Sequence, residues 1–505
     1  MRTLTKKLIG MGLIASTAAF ITAAHAKDLK IGLGGDADLL DPDQSGTFVG
    51  RIVYASLCDK LVDITPELEI IPQLATDWSF SENNLILYIQ LRKGVVFHDG
   101  TPFDAQAVKY NLERSLTLPE SRRKSEIKSI DHIDVTGTHE LEIHLKSPDA
   151  ALLAQFADRS GMMISPTEAQ KTGAKFADNP VCSGPFKFVR RIHQERIVLE
   201  KFADYWNAPA IHFETLTFLP VNDPSVRLAN LASGDLDIID GLAATDVEYV
   251  KNNSDLNFYQ STGLGYQGIT FNVANGEKAN NPLGKHPELR RAFSLAINRE
   301  IINQVVFEGY NRAGNQPFKP DSIWYDENHP VEAQDAARAR QMVVDAGFDR
   351  VPVELLVSNS PINQQLVQII QSMVKEAGFD LSLKSMEFGS LLAAQNQGDY
   401  QAIQIGWSGR IDPDGNLHQF VTCNAGMNQS GFCNKQADEY LNAARATQDF
   451  AARKKNYDAA RKILADQSPL IYLYHQVYLW GVSANLAGFT TYPDGMIRLE
   501  NVQSK

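Results

Sequence analysis

The spacing of hydrophobic residues along the chain switches between the period of a strand and that of a helix. VPVELLVSN (351–359) and LSLKSMEF (381–388) are strand-like, and NQQLVQIIQSMVKEAGF (363–379) between them is helix-like. This order predicts a βαβ unit. QAIQIGW (401–407) predicts a further strand, and together these segments indicate an α/β protein.

Similar patterns predict elements before this unit. LILYIQL (85–91) is apolar at both odd and even positions, which predicts a strand covered on both faces. Asp104 is placed to cap a helix whose apolar stripe contains Ala107, Val108 and Leu112.

One helical pattern occupies HPELRRAFSLAINREIINQVVFEGY (286–310). Leu289, Phe293, Ile297 and Ile301 repeat there at helical spacing. We expect these four side chains to pack in a core.

The C-terminal part continues this pattern. Helices are expected at 434–446 and 450–466, the second capped by Asp449. PLIYLYHQVYLWGVS (469–483) follows as a long apolar extended run. We expect this run to return the chain to the first structural unit.

The N-terminus has the features of a secretory signal. Residues 1–26 begin with the basic residues Arg2, Lys6 and Lys7 and continue into an apolar run with small residues near its end. The alternative is a membrane anchor, which needs an uninterrupted apolar span of about 20 residues. The mature protein is therefore expected to be exported, soluble and periplasmic.

The net charge of the chain argues against one class of binding partner, nucleic acid. Removing residues 1–26 takes away three positive charges and no negative ones, which changes the formal charge from −12 to −15. Nucleic-acid binding needs clustered Lys and Arg to contact phosphates. We therefore expect no nucleic-acid partner.

Four cysteines are present, and an oxidising compartment permits them to pair. Cys423 and Cys433 bracket the polar loop TCNAGMNQSGFC, so we expect a short-range disulfide between them. The loop lacks the additional Cys or His that a metal site would require. Cys58 and Cys182 could pair, but the sequence does not establish this.

The chain lacks the common catalytic and cofactor signatures, namely GxSxG, HExxH and a phosphate loop ending in GK[ST]. GLGYQGITFN (263–272) contains GxGxxG, but a strand follows where a dinucleotide site needs a helix. DPDQSG (41–46) resembles half a calcium loop, but Ile52 replaces the bidentate carboxylate. We expect no cofactor, no resident metal and no enzymatic activity.

Two other polar clusters are interpreted as surface or turn features. His132, His139 and His144 have odd spacings that would place them on both faces of a strand or hairpin, exposed to solvent. Asp412 and Asp414 could form an acid–base pair, but an Asp-Pro-Asp-Gly run is more often a turn held by its own side chains.

Several segments, in order along nearly the whole mature chain, resemble the extracellular solute-binding proteins of the peptide/nickel family, which serve ABC importers. They include LGGDADLLDPD (33–43), VYASLCDKLV (53–62), NPVCSGPFKF (179–188), ELRRAFSLAINREII (288–302) and GFCNKQADEYL (431–441). FHDGTPFDAQAVKYNLERSL, preceded by LILYIQLRKGVV, looks like the family signature. This colinearity is more specific than any single motif.

The resemblance implies a two-lobe periplasmic-binding-protein fold of type II, which closes on its ligand by a hinge movement. The first lobe would comprise 27–268 and 485–505, with an extra subdomain at about 50–180. The second lobe would comprise 269–484. The family's ligand pocket lies between the lobes, and we expect a monomer that delivers its solute to ABC permease subunits.

The loop GWSGRIDPDGN (406–416) follows the strand 401–407, and ligands of α/β sheets commonly bind at such strand ends. Dipeptide-binding members resemble GWTGDxxDPD here, and their Asp holds the ligand's ammonium group. Arg410 stands at or beside that place, and SPIN (360–363) replaces the RPYN that holds the peptide carboxylate. Because a cation cannot hold an ammonium, Arg410 predicts an anionic or hydroxyl-rich ligand.

The predicted ligand-binding residues lie in both lobes. They are Asp41, Pro42, Ser183 and Gly184 in the first lobe, and Gly268, Asn272, Trp407, Gly409, Arg410 and Asp412 across the cleft. Two alternatives stay open: Trp407 packs without touching ligand, or Arg410 pairs with Asp412 or Asp414. Cys182 departs from the family's usual Gly before SGPF, which puts the shape of that loop in doubt.

The expected function is capture of a short peptide or peptide-like solute for import. Within this class, an opine, a glutathione-like compound or an oligosaccharide competes with a peptide. A haem-binding or chaperone-like protein and an exported hydrolase are alternatives from other classes.

Overall fold

The computed structural model describes residues 28–505, and the predicted signal sequence lies outside them. Two large sheets organise these residues. The first has seven strands, in the order Leu256–Thr262, Val477–Ser483, Ile238–Asp240, Asp28–Leu33, Thr215–Pro220, Arg196–Lys201 and Phe186–Ile192. The second has six strands, in the order Arg312–Ala313, Leu470–His475, Tyr266–Phe271, Ala402–Trp407, Val351–Ser358 and Phe379–Met386. We call the parts built on them the first and second lobes.

A smaller four-stranded sheet extends the first lobe, in the order Ala75–Phe80, Ile86–Leu91, Glu140–Leu145 and Ile130–Gly137. Two strand pairs complete the sheets: Val62–Ile64 with Ile70–Pro72, and Leu486–Ala487 with Gln503–Ser504.

Helices flank the sheets. Those before residue 263 are Phe48–Leu57, Ala105–Thr117, Leu152–Gln155, Pro166–Thr172, Pro224–Ser233 and Val247–Asn252. Those after it are Pro282–Lys285, Pro287–Leu295, Arg299–Phe307, Ala336–Asp345, Pro361–Glu376, Phe388–Gln397, Asp414–Val421, Lys435–Arg445 and Phe450–Gln467. Short 3-10 turns lie at Arg159–Gly161, Gly173–Asp178, Ala208–Ala210, Ala244–Asp246 and Glu277–Ala279.

The chain passes between the lobes twice, at 263–265 and at Gln476. The two crossings touch, because Gly263 N donates to Gln476 O at 2.8 Å. Both lie before the expected boundaries at 268 and 484. The apolar run 469–483 is not one element: Gln476 divides it into strands that pair with different sheets.

The predicted βαβ unit is confirmed. Val351–Ser358 and Phe379–Met386 pair in parallel, and helix Pro361–Glu376 connects them. The predicted caps are also confirmed, since Asp104 accepts from Ala107 N and Asp449 accepts from Ala452 N. The cores under the two large sheets are separate, which allows each lobe to hold its own shape.

Two predictions about apolar residues are wrong. Ile301 is 46% exposed, because the helix breaks and a new one starts at Arg299 with Asn298 as its cap. The strand Ile86–Leu91 is covered on one face only, since Tyr88 is 39% exposed while Leu87 and Leu91 are buried.

The prediction of exposed histidines is confirmed for His132, whose side chain is 53% exposed, but not for His144, which is 23% exposed. His132 and His144 lie on the same face, where they pair directly across the neighbouring strands Ile130–Gly137 and Glu140–Leu145.

Both cysteine pairs form disulfides. Cys58 ends helix Phe48–Leu57, which packs in the core of the first lobe, and Cys182 precedes strand Phe186–Ile192. Between Cys58 and Cys182 the chain leaves this core and builds the four-stranded sheet. The bridge therefore joins the point where the chain leaves the core to the point where it returns.

This placement predicts a large stability effect. Replacing Cys58 and Cys182 together by Ser should lower the free energy of unfolding by about 2–5 kcal/mol, because the bridge closes a long loop in the unfolded chain. Chemical denaturation of the oxidised protein measures this loss. The matched pair Cys423→Ser and Cys433→Ser opens a much shorter loop, with a sequence separation of 10 against 124, and should cost less. A greater loss from the short loop would contradict the account.

Candidate functional site

A cavity of about 560 Å³ lies between the two lobes. Its first-lobe wall includes Phe48, Arg122, Arg159, Ser225, Asp240 and Tyr478. Its second-lobe wall includes Tyr266, Gln267, Gln404, Trp407, Phe420 and Gln429. Aromatic surfaces with a few polar groups are typical of small-molecule sites, and the cavity volume is large enough for a small-molecule ligand.

Trp407 is the one sequence-predicted site residue that lines this cavity. Trp407 is the last residue of strand Ala402–Trp407, so its side chain is held at the carboxyl end of that strand in the second sheet. The indole donates from Nε1 to Asn416 at 3.1 Å and packs against Phe420, with ring centroids 4.9 Å apart. Trp407 therefore has both packing contacts and a surface towards the cavity.

Arg410 is buried beside this tryptophan, with its guanidinium 4.2 Å from the ring centroid. It pairs with neither Asp412 nor Asp414, which bind Arg453 and Arg445 respectively. Its partners lie across the cleft.

Arg410 Nε is 3.3 Å from Asp158, and Nη2 is 3.5 Å from Glu126. Both carboxylates belong to the part of the chain that extends the first lobe. The arginine therefore connects the two lobes.

The remaining predicted residues lie outside the cavity wall: Asp41, Pro42, Ser183, Gly184, Gly268, Asn272, Gly409, Arg410 and Asp412. Asp41 is buried against Arg114 at 2.6 Å, and Asn272 donates to three backbone carbonyls. Both polar groups are thus occupied by structural contacts.

Backbone packing explains the predicted residues of the two glycine-containing loops. Ser183 is buried with Oγ 3.4 Å from Met163 O, and Gly184 N donates to Leu57 O at 2.8 Å. Gly409 has a φ of +88°, and a Cβ there would lie 2.3 Å from the carbonyl carbon of Leu264. Gly409 thus allows the loop after Trp407 to meet the crossing at 263–265.

A buried charge cluster lies in the first lobe at the point where Arg410 of the second lobe contacts it. Asp158 binds Arg51, and Glu126 binds Arg123 at 2.6 Å and accepts from Ser160. Burial opposes ionisation of Asp158, but Arg410, Arg51 and Arg159 hold the pKa of its carboxyl well below the usual range.

The cluster has more positive than negative groups. Its members are the cations Arg51, Arg123, Arg159 and Arg410 and the anions Glu126 and Asp158. Burial, together with Arg123 and Arg410, lowers the pKa of Arg159 well below its usual value. An additional anion at this position would therefore be stabilised.

Arg159 brings this positive charge to the cavity wall. Its side chain is 2% exposed and donates from Nη1 to Ser45 O at 2.9 Å. Its Nε has no hydrogen-bond partner among the described residues. Half-buried Arg122 lines the same wall, so two arginines line this cavity.

Two further polar side chains of the wall are Gln404 and Asp240. Gln404 is 2% exposed, and its Oε1 has no partner within residues 28–505. Asp240 ends strand Ile238–Asp240 and is the one acidic lining residue that the structure describes. Burial raises the pKa of Asp240 to about 6, although Arg227 opposes this shift.

The disulfide Cys423–Cys433 supports another part of the wall. The loop that it closes contributes Met427, Gln429 and Ser430 to the cavity. Closing this loop restricts its conformations and so fixes the positions of these side chains.

Sequence analysis did not identify Arg122, Arg159, Asp240 or Gln404. One signal was present: DRSG (158–161) places charges inside an otherwise apolar stretch. Buried charges without an evident partner frequently mark a functional site.

Comparisons with known proteins agree with this fold. Residues 69–428 match the family model "Bacterial extracellular solute-binding proteins, family 5 Middle". A glutathione-binding protein GsiB from Pectobacterium atrosepticum is 29% identical over 510 residues, covering 98% of this chain and 97% of that protein.

Two solved structures are also similar. A dipeptide-binding protein from Pseudoalteromonas sp. SM9913, in complex with Met-Leu, has a TM-score of 0.87 at 22% identity and covers 95% of this chain and 100% of its own. The PBP AgaA from A. tumefaciens R10, in complex with agropinic acid, has a TM-score of 0.85 at 26% identity, with coverages of 95% and 99%.

The fold and cavity define a two-lobe solute-binding protein. The chain belongs to the bacterial extracellular solute-binding proteins of family 5. It is the substrate-binding component of an ABC importer, and its relatives are binding proteins rather than enzymes. No helix within residues 28–505 has both the length and the apolar character needed for a membrane span.

The position of Arg410 predicts an effect on closure. Arg410→Gln should weaken solute binding by about 1.5–3 kcal/mol, because its buried ion pairs with Asp158 and Glu126 between the lobes are lost. The loss should affect an uncharged analogue as well as a charged solute, since Arg410 lies outside the cavity wall. Isothermal titration calorimetry with such a pair measures both values.

The control is Arg453→Gln, which removes an ion pair with Asp412 inside the second lobe. It should lower stability with less effect on affinity. If Arg410→Gln weakens only the charged solute, Arg410 contacts the ligand directly and the interlobe assignment is wrong.

Proposed function

We propose that the protein captures a short peptide or peptide-like solute that carries a carboxylate, and delivers it to the membrane permease. The observation that carries this proposal is Arg159, a buried guanidinium on the cavity wall whose Nε makes no hydrogen bond and lies 3.7 Å from Asp158. A carboxylate is a matching partner, since it accepts short, charge-assisted hydrogen bonds.

The nature of the other polar groups favours a peptide-like ligand. Gln404 Oε1 is a buried acceptor, and an amide N–H of the solute would satisfy it. Asp240 supplies a carboxylate for an amine. Acceptor, anion and cation together match the amide, amine and carboxylate groups of a short peptide.

Capture would couple to closure through the buried charge cluster. When the lobes are apart, Arg159 and Arg410 have access to water, and closure removes it. A bound carboxylate would offset part of the excess positive charge and so favour the closed form, which the permease recognises.

The named ligands of the relatives are compatible with this class. Glutathione is a peptide-like molecule with carboxylates, so it is a suitable first probe, together with agropinic acid and unmodified di- and tripeptides. We place the protein in the periplasm, because its family is extracellular and its N-terminus resembles an export signal. We expect it to act there as a monomer.

Arg159→Gln tests the carboxylate site. For a solute found by a thermal-shift screen of these probes, the variant should lose about 1.5–3 kcal/mol of binding free energy. Converting the solute's carboxylate to an amide should weaken binding to the natural protein by a similar amount. The amide should bind the variant and the natural protein equally, which calorimetry measures as a double-mutant cycle.

Arg290→Gln is the matched control. Arg290 is also buried and donates to backbone carbonyls, but it lies outside the cavity wall. It should not change the preference for the carboxylate form. A cycle with no coupling between Arg159 and the carboxylate, or binding of neutral solutes alone, would refute the proposal.

Asp240 predicts a pH dependence for an amine-containing solute. The pKa of its carboxyl is about 6, so the ionised form that holds an ammonium is lost as pH falls through this value. Affinity should fall about tenfold per pH unit well below 6. Asp240→Asn should bind weakly at pH 7 and show little further change, and an unaltered pH profile in this variant would exclude the assigned role.

The effect of Asp240 ionisation on folding stability is opposite to its effect on affinity. Because the folded-state pKa exceeds the ordinary value of 3.8, burying ionised Asp240 costs folding free energy above pH 6 in the unliganded protein. The bound amine would offset that cost.

A further inference from the structure

A second cluster of ligating groups lies outside the interlobe cavity, on the four-stranded sheet. His132 and His144 are direct cross-strand partners, and their rings stack with centroids 4.3 Å apart. Asp134 is two residues after His132 on the same strand. Strand alternation therefore places its side chain on the same face as the two imidazoles.

The distances within this cluster match the edges of a metal coordination shell. His132 Nε2 is 3.7 Å and His144 Nε2 is 3.5 Å from Asp134 Oδ2. Glu142 Oε2 is 3.4 Å from His144 Nε2. Ligands bound at about 2.0–2.2 Å in a tetrahedral zinc site lie roughly 3.3–3.6 Å from one another.

The imidazole nitrogens are available for such a role. His144 Nε2 is buried and has no hydrogen-bond partner among the described residues. Asp131 Oδ2 accepts from His132 Nδ1 at 2.9 Å, which leaves Nε2 as the free ligand atom. A carboxylate on the far nitrogen is the usual arrangement behind a metal-binding histidine.

We propose that His132, Asp134 and His144 bind a divalent transition metal of the zinc type, with Glu142 beside the remaining coordination position. The three ligand atoms lie within 4.8 Å of one another, so small side-chain rotations bring them around one ion. The hydrogen-bonded strands fix the backbone spacing, which reduces the cost of organising the site.

Borderline metals prefer this ligand set. Imidazole suits zinc, copper and nickel, whereas calcium and magnesium require oxygen ligands throughout. The proposal does not rest on the solute assignment, because none of these residues lines the interlobe cavity.

Zinc titration of the mature protein without a histidine tag tests the proposal. In competition with a chromophoric chelator, the natural protein should bind one zinc ion at this site. The double variant His132→Gln and His144→Gln should bind it more than about tenfold more weakly. Cobalt should give visible ligand-field absorption with the natural protein, and this absorption should be lost in the variant.

His139→Gln is the matched control, because His139 lies between the same two strands but outside the cluster. It should retain zinc affinity and the cobalt spectrum. Thermal unfolding without metal establishes that the variants are folded, and His144→Gln alone provides a milder second test. Absence of zinc binding by the natural protein, or binding that persists unchanged in the double variant, would overturn the proposal.

Discussion

The balance of buried charge between the lobes is the constraint on which the rest of the site depends. Four guanidiniums meet two carboxylates in a buried region. They are contributed by Arg51, Arg123, Arg159 and Arg410 against Glu126 and Asp158. Buried charges are costly unless they are paired. The cluster therefore holds the lobes together while leaving a site that favours an additional anion.

This imbalance connects recognition with movement. Arg410 extends from the second lobe to carboxylates on the other side, and Arg51 donates to Ser408 at 2.9 Å in the opposite direction. A solute that supplies a negative group to Arg159 improves the charge balance only when these contacts form. In the proposed function, ligand binding would thus stabilise one arrangement of the lobes, and that arrangement would distinguish the loaded protein from the empty one.

Local patterns allowed much of the fold to be predicted, because strands, helices and caps such as Asp449 depend on neighbouring residues. Features set by tertiary pairing could not be predicted in this way. Gln476 divides one apolar run between two sheets, and Ile301 is exposed because a second helix begins. The loop of Arg410 was identified, but not its partners, since Asp158 and Glu126 are more than 250 residues away in sequence. Arg159 could be identified as a site residue only from the folded cavity.

The most direct measurement is a crystal structure of the protein with the solute that co-purifies from its native periplasm. The account predicts closed lobes, a solute carboxylate within hydrogen-bond distance of the Arg159 guanidinium, and Arg410 still paired with Asp158. A bound solute that places a neutral or cationic group against Arg159, or that occupies the cavity without approaching this residue, would contradict it.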